Sequence, residues 1–305
     1  MQQDLLTFKH STPEQMQELL HLALTVKRAP SDYRNALQGK SLVALFEKPS
    51  LRTRVSFDIG INKLGGHLVY LDAQANNLAG REDTKDMAQN LSCWADGIIA
   101  RVFAHETLQE LQEFASVPVI NALCDRYHPC QGLADYLAMA EVFHNVQGRT
   151  MAYIGDGNNV THSLLIVGSL LGVNQVVVTP EGHEADADIV AWAKKMGETT
   201  GATITEINDV SQLGVADVIY TDTWLSMGDN TPLAEIKDKF MPYQVNHALM
   251  EQCGAQYVMH CQPAHRDLEI TGELMDSNAS LLMLQAENRM HAQNAIMVTL
   301  LGANV

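Results

Sequence analysis

Positive charge is scarce in this sequence. Lys and Arg number 20 against 36 Asp and Glu, a formal net charge of −16 at pH 7. Such a field repels the phosphates of nucleic acid and the anionic face of a membrane, so neither is expected as a partner. An anionic small molecule stays in play only where a few cations gather against that background. Long apolar runs are missing too. VINALC (119–124) and QVVVTP (175–180) fall far short of the roughly 20 residues that cross a bilayer. The N-terminal MQQDLLTFKHSTPEQ has neither the regions of a signal peptide nor the Arg-rich, acid-poor look of a transit peptide, and a cytoplasmic location is expected. The five cysteines (Cys93, Cys124, Cys130, Cys253, Cys261) are odd in number, scattered and without a CxxC pair, which suits a reducing compartment. Most read as small core residues; Cys261 is the one with chemistry at stake.

What is present is ordinary globular material, 46% hydrophobic and 18% charged over 305 residues. That length exceeds the usual single packed domain and predicts two domains sharing a cleft. Short β-branched runs alternate with helical patterns from Ser41 almost to the end, the signature of βαβ units. Strands are expected at 41–46, 66–71, 97–102 and 118–122, then at 149–155, 175–180, 202–207, 217–222 and 256–261. Thr12, followed by Pro13 and Gln15, is a helix start with a capping box. Segment 128–145 reads as a connecting helix and 281–302 as a second long helix, returning to the first domain. The predicted fold is α/β: two domains, each a mostly parallel sheet flanked by helices, joined by two long interdomain helices. The boundaries expected are 1–140, with 285–305 packed back onto it, and 141–284. The segment 226–232, SMGDNTP, is expected to be a mobile loop.

Several clusters could carry chemistry. After the first strand, Ser50 stands at a helix N-cap and is followed by Arg52, Thr53 and Arg54. Backbone N–H groups and the helix dipole favour an anion there, and the hydroxyls and guanidiniums suit phosphate oxygens. The bland alternative is a solvated helix start whose arginines pair with an acidic surface. His128-Pro129-Cys130-Gln131 lies between a strand and a helix, at the sheet edge where open α/β folds bind ligands. A neutral imidazole and an amide there could hold a small carbonyl or carbamoyl group, or His128 could simply cap and pack. Arg101 ends its strand at the same rim. Gly155-Asp156-Gly157 is followed by Val160 where a dinucleotide fingerprint needs its third glycine, a broken match; a tight turn exposing Asn158 and Asn159 is the safer reading. Asp222, Ser226 and Met227 follow a strand and suit an amino acid, Asp222 meeting its ammonium group or acting only as a cap. Cys261 ends the last strand, with a thiol that is mostly neutral unless a cation stands near. His128, Cys130, His260 and Cys261 lack the spaced pairs of a metal site, so no metal is expected. Arg289 interrupts the apolar pattern of the terminal helix and could reach back into the cleft.

Together these motifs resemble the transcarbamoylase family. Ser50-Leu51-Arg52-Thr53-Arg54 is similar to its S-T-R-T-R motif, His128-Pro129-Cys130-Gln131 to H-P-x-Q, His260-Cys261-Gln262-Pro263 to H-C-L-P, and Ala286-Glu287-Asn288-Arg289 to A-E-N-R. Asp222-Thr-Trp-Leu-Ser226-Met227-Gly228 resembles the D-x-x-x-S-M-G of the ornithine branch. The resemblance spans nearly the whole chain in the right order. It implies that Ser50, Leu51, Arg52, Thr53, Asn77, Arg101, His128, Gln131, Cys261, Gln262 and Arg289 hold carbamoyl phosphate, that Asn159, Asp222, Ser226 and Met227 hold L-ornithine, and that Arg101, His128 and Cys261 are catalytic. It further implies a homotrimer, or an assembly of trimers, that makes citrulline without cofactor, metal or covalent intermediate. Gln262 stands where the family usually has leucine, and Asn77 where ornithine enzymes often place a glutamine from a neighbouring subunit. Competing readings are a transcarbamoylase for putrescine, lysine or an acylated ornithine, a nucleotide-dependent dehydrogenase, and a silent regulatory homologue.

Overall fold

The computed structural model describes residues 3–72, 82–224 and 232–302. The chain forms two compact units, one of Met1–Leu137 with Asn288–Val305, the other of Ala138–Glu287.

In the first unit β1 (Ser41–Phe46), β2 (His67–Asp72), β3 (Gly97–Arg101) and β4 (Val119–Leu123) make a parallel sheet in the order β2-β1-β3-β4. The central strands carry unbroken apolar runs, Leu42–Phe46 and Ile98–Ala100, buried throughout; a strand covered on both faces by crossover helices has no polar side to alternate to. Helices Leu51–Lys63, Thr84–Ser92 and His105–Phe114 make the crossovers. The opening helix, Pro13–Arg28, starts in the capping box read from Thr12, which exchanges hydrogen bonds with Gln15. At the β4 edge Leu5 donates to the Val119 carbonyl and accepts from Asn121 N–H, covering groups that would otherwise be an open strand edge. The terminal helix, Leu282–Leu301, buries Ala292, Ala295, Ile296 and Met297 in this unit from Asn288 onward. Gly60 makes room for it, since a Cβ there would run into Asn294 Oδ1.

In the second unit β5 (Thr150–Ile154), β6 (Asn174–Val178), β7 (Ile204–Ile207), β8 (Val218–Thr221) and β9 (Tyr257–His260) form a parallel sheet in the order β7-β6-β5-β8-β9. Ala152, Ile154, Val178, Ile219, Val258 and Ile270 anchor its core. Helix Asn159–Leu170 is buried from Val160 to its end, as an apolar-all-round helix must be.

Each sheet has a topological switch point, where consecutive strands leave in opposite directions: between β1 and β3, and between β5 and β8. The strand ends there are the places where open parallel sheets receive ligands. β3, β5, β6, β8 and β9 end one or two residues before the windows expected from sequence, β1 and β7 end with theirs, and β2 and β4 run one residue past; after β6 Pro180 cannot continue the ladder. Cys93 is exposed just after the Thr84–Ser92 helix, so it is not a core residue. Among the described residues no helix is long and apolar enough to cross a membrane.

Candidate active site

The first switch point gathers cations around one hydroxyl. Ser50 caps the Leu51–Lys63 helix, its Oγ accepting from Thr53 N–H at 3.3 Å, and the first N–H groups of the helix have no intrahelical carbonyl to bond. Thr53 is fully buried, and its Oγ1 accepts from Arg101 Nη1 at 3.3 Å and from Arg289 Nη2 at 2.8 Å. A hydroxyl has two acceptor lone pairs and one proton, so both lone pairs are taken and the proton is left to donate. Beside Arg101 the ladder is irregular: Ala100 pairs with Asn121 but Arg101 with Leu123, the extra residue, Ala122, lying on β4. Arg101 and Arg289 are 4% and 5% exposed. Burial first, then the facing Arg289 charge, pushes Arg101 down to about 10. Two buried guanidiniums sharing a neutral hydroxyl form a cradle for an anion.

His128 stands at the start of the Pro129–Phe143 helix, 4% exposed. Burial, then Arg289 and Arg101, holds its pKa well below the ordinary histidine value. It is therefore a neutral imidazole at pH 7, able to donate a hydrogen bond without adding charge. Gln131, three residues on, is 1% exposed and donates Nε2–H to Asp135 Oδ1 at 2.7 Å. Cys130 is fully buried, its thiol pushed up to about 12 by burial and donating to the Asn121 carbonyl; it packs and does not react. Leu51 is 76% exposed, which leaves its backbone N–H as the group it can offer. Arg54 lies over the Tyr70 ring, 3.9 Å from its centroid. Lys48, missed in the sequence, is a further cation here: burial and then Arg101 lower its pKa.

The second switch point is built around a carboxylate. Asp222 is 5% exposed just after β8. Its Oδ1 accepts from Thr223 N–H at 2.7 Å and from the Cys261 thiol at 2.9 Å, and its Oδ2 from Asn158 Nδ2 at 2.9 Å. Of the two asparagines exposed at this turn in the sequence reading, Asn158 is the one that reaches Asp222. The same Asn158 side chain caps the next helix through Oδ1, accepting from Val160 N–H and Thr161 N–H. Asn is a preferred N-cap residue, which was the signal available. Beyond β9, Gln262 has φ 57° and donates its N–H to His260 Nδ1 at 2.8 Å, while His260 Nε2 meets the buried Glu269 Oε1 at 3.1 Å.

Asp222, His260 and Cys261 bring metal-ligand atoms within 4.8 Å of one another. Both His260 nitrogens and the Cys261 thiol are already spent on protein partners, so this set satisfies itself. Asn77, Ser226 and Met227 lie outside the described residues. Among the rest, the structure brings together Ser50, Thr53, Arg101, His128 and Arg289 in the first unit, and Asp222 with Cys261 in the second.

An anion cradle at one switch point and an engaged carboxylate at the other are matched by the sequence comparison. The chain belongs to the aspartate/ornithine carbamoyltransferase family: residues 3–141 match the carbamoyl-P binding domain and residues 147–300 the Asp/Orn binding domain. The ornithine carbamoyltransferase of Shewanella oneidensis is 56% identical over 97% of this chain and 98% of its own length; that of Moritella abyssi is 54% identical over 98% and 99%. The solved ornithine carbamoyltransferase of Pyrococcus furiosus, 42% identical, superposes with a TM-score of 0.92 over 96% of this chain and 95% of that one.

Proposed function

We propose that this enzyme transfers the carbamoyl group of carbamoyl phosphate to the side-chain amine of L-ornithine, giving L-citrulline and phosphate. The observation that carries the phosphate half is the convergence of Arg101 and Arg289 on Thr53, a buried double positive charge that an acyl phosphate would neutralise. The ornithine half rests on Asp222, held by Asn158 and Cys261, and on the names of relatives more than half identical.

In the reaction the uncharged amine attacks the carbamoyl carbon. A C–N bond forms, the carbonyl electron pair moves onto oxygen, and the tetrahedral intermediate collapses by breaking the C–O bond to phosphate; the amine proton passes to solvent. Arg101 and neutral His128 stabilise the developing oxyanion, and Ser50, Arg52, Thr53 and Arg289 take up charge on the leaving phosphate; electrostatic terms of this kind are usually the largest in catalysis. Asp222 pairs with the ornithine ammonium group. The roles of Leu51, Asn77, Asn159, Ser226, Met227, Cys261 and Gln262 rest on motif resemblance, as do the two substrate-binding domains, 1–140 with 285–305 and 141–284. We infer equally a cytoplasmic homotrimer. None of the five cysteines forms a disulfide, which supports the location, and an exposed apolar stripe of Leu51, Val55 and Ile59 at helical spacing supports a subunit interface.

The test is colorimetric detection of a ureido product from carbamoyl phosphate with ornithine, putrescine, lysine, acetylornithine and aspartate offered separately. Fast product with ornithine alone is expected. A different preferred amine overturns the ornithine half, and no product with any amine overturns the whole.

A further inference from the structure

We infer that Asp135 is a positioning residue that fixes which end of the Gln131 amide is offered to a ligand, and that it thereby makes the anion site select acyl phosphates bearing an NH2 group over those bearing a methyl. The inference rests on the carbamoyl phosphate reading above and deepens it.

A glutamine amide is nearly symmetric in shape but not in chemistry, with two donors on Nε2 and an acceptor at Oε1. Left to itself at a ligand it can turn either way. Gln131 and Asp135 are one helical turn apart on Pro129–Phe143 and therefore neighbours. Asp135 is fully buried and its Oδ1 stands 2.7 Å from Gln131 Nε2. In that bond the amide nitrogen donates and the Asp135 oxygen accepts. Oε1 must then point the other way. It is buried and, among the described residues, has no hydrogen-bond partner, an expensive state for a carbonyl oxygen.

The position of that oxygen gives it a use. Gln131 occupies the first turn of the helix that His128 opens, its N–H bonded to the His128 carbonyl at 3.1 Å. His128 is close enough to Arg101 and Arg289 for both to lower its pKa. Arginines and a neutral imidazole N–H are all donors, suited to phosphate and carbonyl oxygens. Gln131 Oε1 supplies an acceptor, which a carbamoyl group also needs, for its NH2. An acetyl group of the same shape would leave the acceptor unmade. A site with buried polar groups left unpaired rejects the analogue far more strongly than size alone can.

Calorimetric binding of phosphonoacetamide and of acetonylphosphonate, which differ by NH2 against CH3, tests this without any amine substrate. The wild-type enzyme should prefer the amide. In Asp135→Asn, whose side chain can accept from or donate to Gln131, the preference should fall by roughly 10- to 100-fold, the range set by one buried acceptor left unmade. In a Gln131→Leu background Asp135→Asn should change it no further, because both act through one group. A wild-type enzyme without preference, an Asp135→Asn enzyme that keeps it, or an Asp135→Asn effect that is undiminished in the Gln131→Leu background overturns the inference. Should Asp135→Asn not fold, Asp135→Ser is measured in its place with the same outcomes, and a preference retained in Gln131→Leu overturns the inference in either case. An enzyme that selects the amide yet carbamoylates no amine would refute the proposed function and leave this selectivity standing.

Discussion

At Arg101 burial and a facing guanidinium act together. Its folded pKa of about 10 lies below that of an exposed arginine, so the charged form carries a penalty throughout the range below pH 10 and is relieved only above it. The shift corresponds to an upper bound on the order of 3 kcal/mol at neutral pH. Such a residue is kept for what it binds, and sites of this kind trade stability for function. Arg101→Leu should therefore raise the melting temperature while turnover falls by roughly 10²–10³. Inorganic phosphate should raise the melting temperature of the wild type and do little for the variant; a variant that is less stable and equally protected by phosphate contradicts this account. The composition of this cradle could be read from the motifs, but its geometry could not. Thr53 and Arg289 are 236 residues apart, and nothing local says that one hydroxyl serves two arginines. The Asn158–Asp222 bond spans 64 residues in the same way, and no local pattern announces it.

Among the elements, the strand ends of the second sheet depend on a ring of buried polar contacts. Thr221 pairs in register with His260, and the residues just beyond them are Asp222 and Cys261, joined by the thiol bond. Glu269 braces the far side. Its Oε1 accepts from His260 and from His265 N–H, and the His265 ring reaches Thr223 Oγ1 at 3.3 Å, next to Asp222 in the chain. Glu269 and the His260 side chain are completely buried, and removing one member of such a pair strands the other. Glu269→Ala leaves buried donors without their acceptor and is expected to cost about 1–3 kcal/mol in urea unfolding and, in what remains folded, to raise KM for ornithine more than KM for carbamoyl phosphate. Equal changes in the two would show that Glu269 merely supports the fold. The strands themselves were legible, since β-branched runs punctuated by proline and polar turns leave few alternatives. So were the Thr12 and Ser50 caps. The irregular pairing beside Arg101 and the Glu269 brace were not, because each is set by register between strands or by a loop meeting a strand end from outside the local pattern.

Over the whole molecule two electrostatic effects oppose each other as pH falls. The net charge of −16 shrinks in acid, which relieves self-repulsion, but exposed charges more than about 10 Å apart are largely screened at 0.1 M salt. Buried histidines act in the opposite direction and are not screened. His128 is held well below its ordinary pKa by burial and two arginines, and His105 is lowered chiefly by burial. A histidine depressed in the native state stays neutral while the unfolded chain takes up a proton, so stability is intact above the unfolded value near 6.5 and is lost as pH falls below it. His128, the more strongly depressed of the two, contributes the larger share of that loss and His105 the smaller. Urea midpoints measured at pH 7.5, 6.5 and 5.5 in 0.1 M salt should therefore decline steadily. His128→Gln should flatten much of that decline, whatever it does to activity, and His128→Gln with His105→Gln should flatten more. A midpoint that rises toward pH 5.5 would mean that the acidic surface outweighs the buried histidines, and a decline unchanged in the double variant would place the titrating groups elsewhere in the chain.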